Sequence, residues 1–266
     1  MADPVNYDPL YAEFDSPLLK QMRTEAYGED IGQHSWVTAD ELRADLERLS
    51  LNIDSLLLDV GCGPGGPLIF AVQSTGGLGI GVDISRAATE SASRRARTFN
   101  LESRVSTLVA NLDRPLPIAA RSIDAVMSFD VILHLRDRAA LLSEIARVLT
   151  PGGRLLFTDP GVVVADITDD EIERRSTYGF VELVPEGINE SILQAVGLIL
   201  VDRQDRSASV ERNAGGRLKA LASRKQELSS MLGEESVERH EQFLRNVIDL
   251  TERRVLKRVM YLARVN

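Results

Sequence analysis

The sequence predicts an open α/β sheet, parallel through most of its strands and covered by helices on both faces. Six short apolar runs carry the prediction: Ser55 to Val60, Gly77 to Asp83, Val105 to Ala110, Ile123 to Phe129, Arg154 to Asp159 and Leu198 to Arg203. Helix-length segments such as Ser85 to Asn100 and Arg138 to Leu149 separate them. Strands that are apolar throughout are buried on both faces, as in a parallel sheet with crossover helices. A glycine-rich turn from Gly61 to Gly66 directly follows the first run, where such sheets place their ligands.

Residues 1–51 read as a helical cap carrying the motif GEDIGQHSW, Gly28 to Trp36. Thr38 is the expected N-cap of a helix, with Glu41 placed to close a capping box and Leu42, Leu46 and Leu49 forming its apolar stripe. The α/β domain then occupies 52–266. Its helix Arg138 to Leu149 is expected to stop at Thr150-Pro151-Gly152-Gly153 in a turn. A polar, charged, helical insertion follows at about 207–253, with Gly215-Gly216 and Leu232-Gly233 as breaks. The β-branched and aromatic run Val255 to Val265 is a last strand.

Composition excludes several classes. Net charge is -9, which argues against nucleic acid as the main partner, because neutralising phosphates requires concentrated basic surface. The basic run Arg253, Arg254, Lys257 and Arg258 reads as a solvated face. A single cysteine, Cys62, precludes an intrachain disulfide. Neither a signal pattern nor an uncharged apolar run of about 20 residues is present. A cytoplasmic protein, monomer or homodimer, without a membrane partner is expected.

The loop Asp59-Val60-Gly61-Cys62-Gly63-Pro64-Gly65-Gly66 carries the functional argument. Gly61, Gly63 and Gly66 fit the dinucleotide spacing G-x-G-x-x-G, so glycines alone leave the ligand open. Asp59 discriminates. A carboxylate beside a pyrophosphate is repelled, whereas beside an ammonium or sulfonium it is attracted. At about 4 to 5 Å, with an effective dielectric near 20, either effect is on the order of 3 to 4 kcal/mol before screening. The sign therefore decides, although an Asp capping the following turn is the structural alternative. Asp83, about 20 residues past the glycines, suits a bidentate hydrogen bond to ribose hydroxyls. Asn111 with Leu112 suits an adenine edge and face, or Asn111 is simply a turn residue. The segment Ser128 to His134 ends the fourth strand, where the transferred group should lie.

The pieces LLLDVGCGPGG, GIGVDIS, ANLDRPLPI, SIDAVMSFDVILHL and EIARVLTPGGRLLFTDP together resemble the class I S-adenosylmethionine-dependent methyltransferases, small-molecule branch, over Ser55 to Pro160. The resemblance implies a Rossmann-like seven-stranded sheet with an antiparallel last strand. It implies S-adenosyl-L-methionine as cofactor and S-adenosyl-L-homocysteine as product. It places Asp59, Gly61, Gly63 and Gly65 along the methionine moiety, with Cys62 inside the loop in no redox role. Asp83 falls on the ribose, Ile84 and Leu112 against the adenine, and Phe129 near the sulfonium. Asn111 stands where the family more often has Asp, which puts its adenine contact in question. GEDIGQHSW is similar to cap motifs of small-metabolite methyltransferases, implicating Tyr7, Tyr11, Gln33, His34 and Trp36 with the insertion in enclosing a substrate.

Methyl transfer demands in-line orientation and exclusion of water, and a base only for a protonated nucleophile. His134, after the fourth strand, is the first base candidate, or it starts a helix and bonds the backbone. His34 is the second; His240 reads as a surface residue of a charged helix. Trp36, Tyr7 and Tyr11 could cage an amine, or pack onto the domain. No Cys/His cluster or H-x-x-x-H spacing occurs, so no metal is expected. The reading is methyl transfer to N or O of a small metabolite or natural-product intermediate. The alternatives are a non-catalytic adenosyl-binding protein and an NAD-dependent oxidoreductase.

Overall fold

A computed structural model describes residues 8–266. Three helices, α1 (Asp8–Ala12), α2 (Pro17–Tyr27) and α3 (Ala39–Leu49), precede the sheet. Then follow β1 (Leu56–Val60), α4 (Gly66–Thr75), β2 (Leu78–Asp83), α5 (Arg86–Thr98), β3 (Val105–Val109) and β4 (Ile123–Phe129). A single 3-10 turn (Ile132–His134) leads into α6 (Arg138–Val148), β5 (Leu149–Val163), α7 (Asp169–Arg175), β6 (Val184–Pro185), α8 (Ile188–Ala195) and β7 (Ile199–Asp205). The chain closes with α9 (Ser207–Ser223), α10 (Lys225–Leu232), α11 (Glu234–Glu252) and β8 (Leu256–Arg264).

The strand order is β3-β2-β1-β4-β5-β8-β7, with the two-residue β6 pairing with β5 beside this path. β8 runs antiparallel to both β5 and β7, and the remaining pairs are parallel. The seven strands of the path and the antiparallel last strand match the expected Rossmann-like sheet.

Alternation along the strands builds two cores. Leu58, Val126, Leu155, Phe157 and Tyr261 pack against α6 and α8 through Leu142, Ile145 and Leu193. Their neighbours Leu57, Met127, Leu156, Met260 and Leu262 face α3 and α4, through Leu42, Leu46, Leu68 and Val72. The central strands are apolar on both sides because each side meets a helical layer, whereas the edge strands β3 and β7 are largely exposed. A third core joins α2 to the insertion: Leu19 and Trp36 pack with Val210, Leu221, Phe243, Leu244 and Val247. No helix among the described residues is long and apolar enough to cross a membrane.

Three local expectations change. Thr150 to Gly153 does not form a free turn; it is the start of β5, and a register shift between Ile123 and Ala125 of β4 absorbs the extra residues. Gly215-Gly216 does not break α9. A Cβ at Gly216 would collide with the backbone of Ala26, so the small residue serves close packing of α2 on α9. At Thr38, the hydroxyl accepts from Glu41 N at 3.1 Å as expected. The Glu41 carboxylate does not close the box. It accepts from Arg258 at 2.8 Å instead, since leaving a buried guanidinium unpaired would cost more than an unfilled cap.

The basic run at the C-terminus is equally particular. Arg258 is buried, Arg253 pairs with Glu171 and Asp249, and Lys257 lies near Glu186 and Asp205. These charges are engaged with carboxylates of the protein itself rather than forming an open basic face.

Candidate active site

The chain runs outward through β1, β2 and β3 and then returns to β4, so the strand order reverses between β1 and β4. The carboxyl ends of these strands open there, and a cavity of about 700 Å³ begins at that point. The volume is within the range of about 300 to 1,000 Å³ typical of small-molecule sites.

The glycine loop bends back over the end of β2. Gly61 N and Cys62 N both donate to Val82 O, at 2.7 and 3.0 Å. Gly61 has φ +74°, and a side chain there would also strike Val131, so two independent constraints require glycine. At Gly66 a Cβ would run into the carbonyls of Ile31 and Gly32. The last glycine of the G-x-G-x-x-G spacing thus serves the close approach of the GEDIGQHSW segment.

Asp59 lines the cavity, is 2% exposed, and its Oδ2 has no hydrogen-bond partner among the described residues. Burial, and then the nearby Asp83, push its carboxyl well above the usual carboxylate range. An unpartnered carboxylate oxygen aimed into a cavity is a site for a cation, and an ammonium group there would restore its ordinary acidity. Asp83 accepts from Gly63 N at 2.8 Å through Oδ2 and from Ser85 N at 2.9 Å through Oδ1. Burial raises its pKa against those backbone bonds. Each oxygen keeps a second acceptor direction, compatible with ribose hydroxyls. Burial, reinforced by Asp59 and Asp83, holds the Cys62 thiol protonated.

Beyond Asp83, Ile84 is 51% exposed yet lines the cavity, as does the buried Leu112. Two apolar side chains on one cavity suit a flat apolar ring. Asn111 also lines the cavity, but its Oδ1 accepts from Asp113 N at 2.9 Å, so the turn reading of its side chain holds as well. Phe129 lines the floor next to β1.

Of the expected site residues, Tyr7 lies outside the described residues. Gly65 and Gln33 do not line the cavity. Gln33 is fully buried, its Oε1 accepting from Ile31 N and its Nε2 donating to Glu29 O, so it shapes the cap motif from within. Tyr11 and His34 meet edge to face at 5.5 Å, with the Tyr11 hydroxyl 3.4 Å from His34 Nδ1. Trp36 lines the cavity, but its ring lies under the Arg217 guanidinium at 4.5 Å and near-parallel to Phe243 at 6.4 Å. A cage for an amine at Trp36 is therefore corrected: the cation over that ring is the protein's own.

His134 resolves into both of its readings. It ends the 3-10 turn and its Nδ1 is 3.0 Å from Phe180 O, and it lines the cavity as well. Since a carbonyl only accepts, the proton resides on Nδ1 and Nε2 carries the lone pair. Burial lowers its pKa to about 4, as it does for His34. His240 is not a surface residue. It lies on the apolar face of α11 with Val237, Phe243, Leu244 and Val247, and its Nδ1 bonds the Tyr178 hydroxyl. Burial brings its pKa to about 3. All three histidines of the chain line one cavity.

Residues that sequence reading missed come from the cap and from the rim of β4. Asp130 has φ +62° and joins three elements: Oδ2 accepts from Trp36 N at 2.7 Å, Oδ1 from Arg258 Nε at 2.8 Å and from the Thr158 hydroxyl at 2.7 Å. Arg258 is 1% exposed; burial opposes its charge, but Asp130 and Glu41 outweigh that and raise its pKa. Arg175, Tyr178, Arg217 and Phe243 complete the cap wall. The 3-4 spacing Val237, His240, Phe243, Val247 was the available signal for α11. Arg175 and Arg217 carried none, because a charged residue in a charged segment reads as solvated.

Comparison with known proteins supplies the family context. A methyltransferase domain model matches residues 58–157. The chain is 32% identical over 212 residues to methyltransferase GfsG of Streptomyces halstedii, covering 77% of this chain and 73% of that protein. Among solved structures, Haemonchus contortus phosphoethanolamine N-methyltransferase 2, in complex with S-adenosylhomocysteine, superposes with TM-score 0.78 at 20% identity, over 98% of this chain and 60% of that one. The cyclase SpnF superposes with TM-score 0.75 at 22% identity, over 98% of both chains.

Proposed function

We propose, for a chain that belongs to the S-adenosylmethionine-dependent methyltransferase family, that it methylates a nitrogen or oxygen of a small metabolite or natural-product intermediate. The single observation carrying this reading is the continuous cavity. Its floor holds the unpartnered Asp59 carboxylate and its roof is the helical cap, so the cofactor and a second small molecule can share one enclosed space. Relatives named as methyltransferases of rifamycin and of sarcosine and dimethylglycine support a small acceptor.

The residues present fit the cofactor. Asp59 would face its ammonium and sulfonium region, Asp83 its ribose, Ile84 and Leu112 its adenine, and Phe129 the reacting end. When bound, S-adenosylmethionine supplies an electrophilic methyl group. The chain's own part is orientation and exclusion of water: Gly61 and Gly63 shape the loop, and the cap closes the substrate side. His134 Nε2 is the acceptor for the proton that a hydroxyl or neutral amine nucleophile sheds as it is methylated. Its low pKa keeps it neutral at physiological pH and makes it a weak base, better suited to holding a proton late in the reaction than to removing it early. His34, edge-on to Tyr11, is the secondary candidate.

A labelled-methyl screen against metabolite pools, with mass detection of the product, tests the reading. Incorporation of one methyl group into a small molecule supports it. Binding of S-adenosylmethionine without transfer to any pool favours a protein that uses the adenosyl site for other ends, as the cyclase likeness allows.

A further inference from the structure

The corner that follows β4 faces three ways. Phe129 lines the cavity, the side chain of Val131 packs against Gly61 of the glycine loop, and the Asp130 carboxylate between them reaches the cap. The φ of +62° at Asp130 allows this divergence, and among residues with a short side-chain acceptor it favours Asp or Asn. The two carboxylate oxygens divide the work. Oδ1 stays with the sheet, accepting from the Thr158 hydroxyl of β5 at 2.7 Å and from Arg258 Nε of β8 at 2.8 Å. Oδ2 accepts from Trp36 N of the cap at 2.7 Å.

Resting on the methyltransferase reading above, we infer that Asp130 is a positioning residue for the reaction: anchored by Arg258, it fixes the cap segment 34–36 over the cavity that the cofactor and acceptor share.

The bonded amide belongs to a segment that lines the cavity at His34, Ser35 and Trp36. Helices of the cap hold the carbonyls of the same segment. Trp36 O accepts from Asn213 Nδ2 at 2.8 Å, Ser35 O accepts from the Tyr27 hydroxyl at 2.7 Å, and Arg217 donates to His34 O and Ser35 O. Thus α2 and α9 grip the segment from the cap side, and Asp130 grips it from the sheet side. The sheet-side grip is charged and well anchored. Arg258 is 1% exposed, and its Nη1 donates to Glu41 of α3 at 2.8 Å and to Ser209 of α9 at 3.2 Å. A buried hydrogen bond to an ionised acceptor is among the stronger ones. Loss of Oδ2 leaves the Trp36 amide without this acceptor and lets the segment lift, admitting water beside the reacting methyl group.

Trp36 is the single tryptophan of the chain and is 5% exposed, so its fluorescence reads this segment directly. The test compares Asp130→Gly, which suits the positive φ and removes the acceptor, with Asp130→Asn, which keeps one acceptor oxygen. The control is Asp45→Asn, which weakens another buried ion pair, with Arg206, away from the cavity. In Asp130→Gly, acrylamide quenching of Trp36 should rise about threefold or more, and S-adenosylhomocysteine should dissociate about tenfold faster in stopped flow. Asp130→Asn should recover part of both. Asp45→Asn should lower the melting temperature and leave both at wild-type values. Should Asp130→Gly fail to fold, Asp130→Gly with Arg258→Met, which removes both members of the buried pair, is measured in its place with the same expectation. Wild-type quenching or wild-type release in the glycine variant, no recovery in Asp130→Asn, or the same changes in Asp45→Asn overturns the inference. Failure of S-adenosylhomocysteine to bind the wild-type protein would instead strike the methyltransferase reading, and the quenching comparison alone would then decide on Asp130.

Discussion

Asp59 and Asp83 stand at the carboxyl ends of adjacent parallel strands, 2% and 9% exposed, and the charge of Asp83 adds to burial in raising the pKa of Asp59. Asp83 has backbone N–H donors on both oxygens; Asp59 has an oxygen with no partner among the described residues. The pair is a pocket of negative potential waiting for a positive ligand.

Asp59→Asn follows directly. A carboxyl whose folded pKa is raised destabilises the cofactor-free fold as pH rises above the unfolded value of about 4. The amide removes that burden, so the variant should melt higher than wild type without cofactor at neutral pH, and should bind S-adenosylmethionine at least about tenfold more weakly. Thermal denaturation with and without cofactor checks both halves. A lower melting temperature of the cofactor-free variant would refute the strained-carboxylate account.

Asp83→Ala should weaken cofactor binding by about 1 to 3 kcal/mol through lost charged hydrogen bonds. It also leaves Gly63 N and Ser85 N without their acceptor, so stability should fall too. Asp83→Asn, which keeps one acceptor oxygen, should recover part of the stability. Calorimetry of both variants separates the two effects; unchanged affinity removes Asp83 from the site.

Arg258→Met should destabilise the fold by about 3 to 5 kcal/mol, because Asp130 and Glu41 are left buried opposite an apolar side chain. Urea denaturation measures it. Adding Asp130→Asn and Glu41→Gln should restore part of the loss, which no simple packing defect would allow.

Acid should unfold the protein through its histidines. The folded pKa values of His34 and His134, about 4, and of His240, about 3, lie below the ordinary value near 6.5. Their neutral forms are favoured by folding, so this contribution is intact above about pH 6.5 and is lost as pH falls toward 4. His240→Phe should flatten the stability profile over that window. A separate readout concerns His134→Ala, which should leave cofactor affinity intact and lower turnover; wild-type turnover would reject its role as proton acceptor.

The sheet and the cofactor end were legible because local chemistry dictates them. A strand buried on both faces must be apolar throughout, and a loop crossing β2 must contain Gly61. That Asp59 would line the cavity was readable from its place at the end of the first strand. The cap wall was not legible, since its residues gain meaning only when α7, α9 and α11 meet. His240 sat among charged neighbours, and nothing in the order of residues placed Arg217 over Trp36. Arg258 illustrates the same limit: as part of a basic run it looked solvated, and only the assembled fold brings it to Asp130 and Glu41.

The central claim, that the charge of Asp59 selects a cationic adenosyl cofactor at a loop whose glycines would also suit a dinucleotide, is tested most directly by one calorimetric titration. S-adenosylmethionine, S-adenosylhomocysteine and NAD are titrated into the wild-type protein under one buffer condition. The two adenosyl ligands are expected to bind and NAD to show weak or no binding. Tighter binding of NAD than of S-adenosylmethionine would contradict the account.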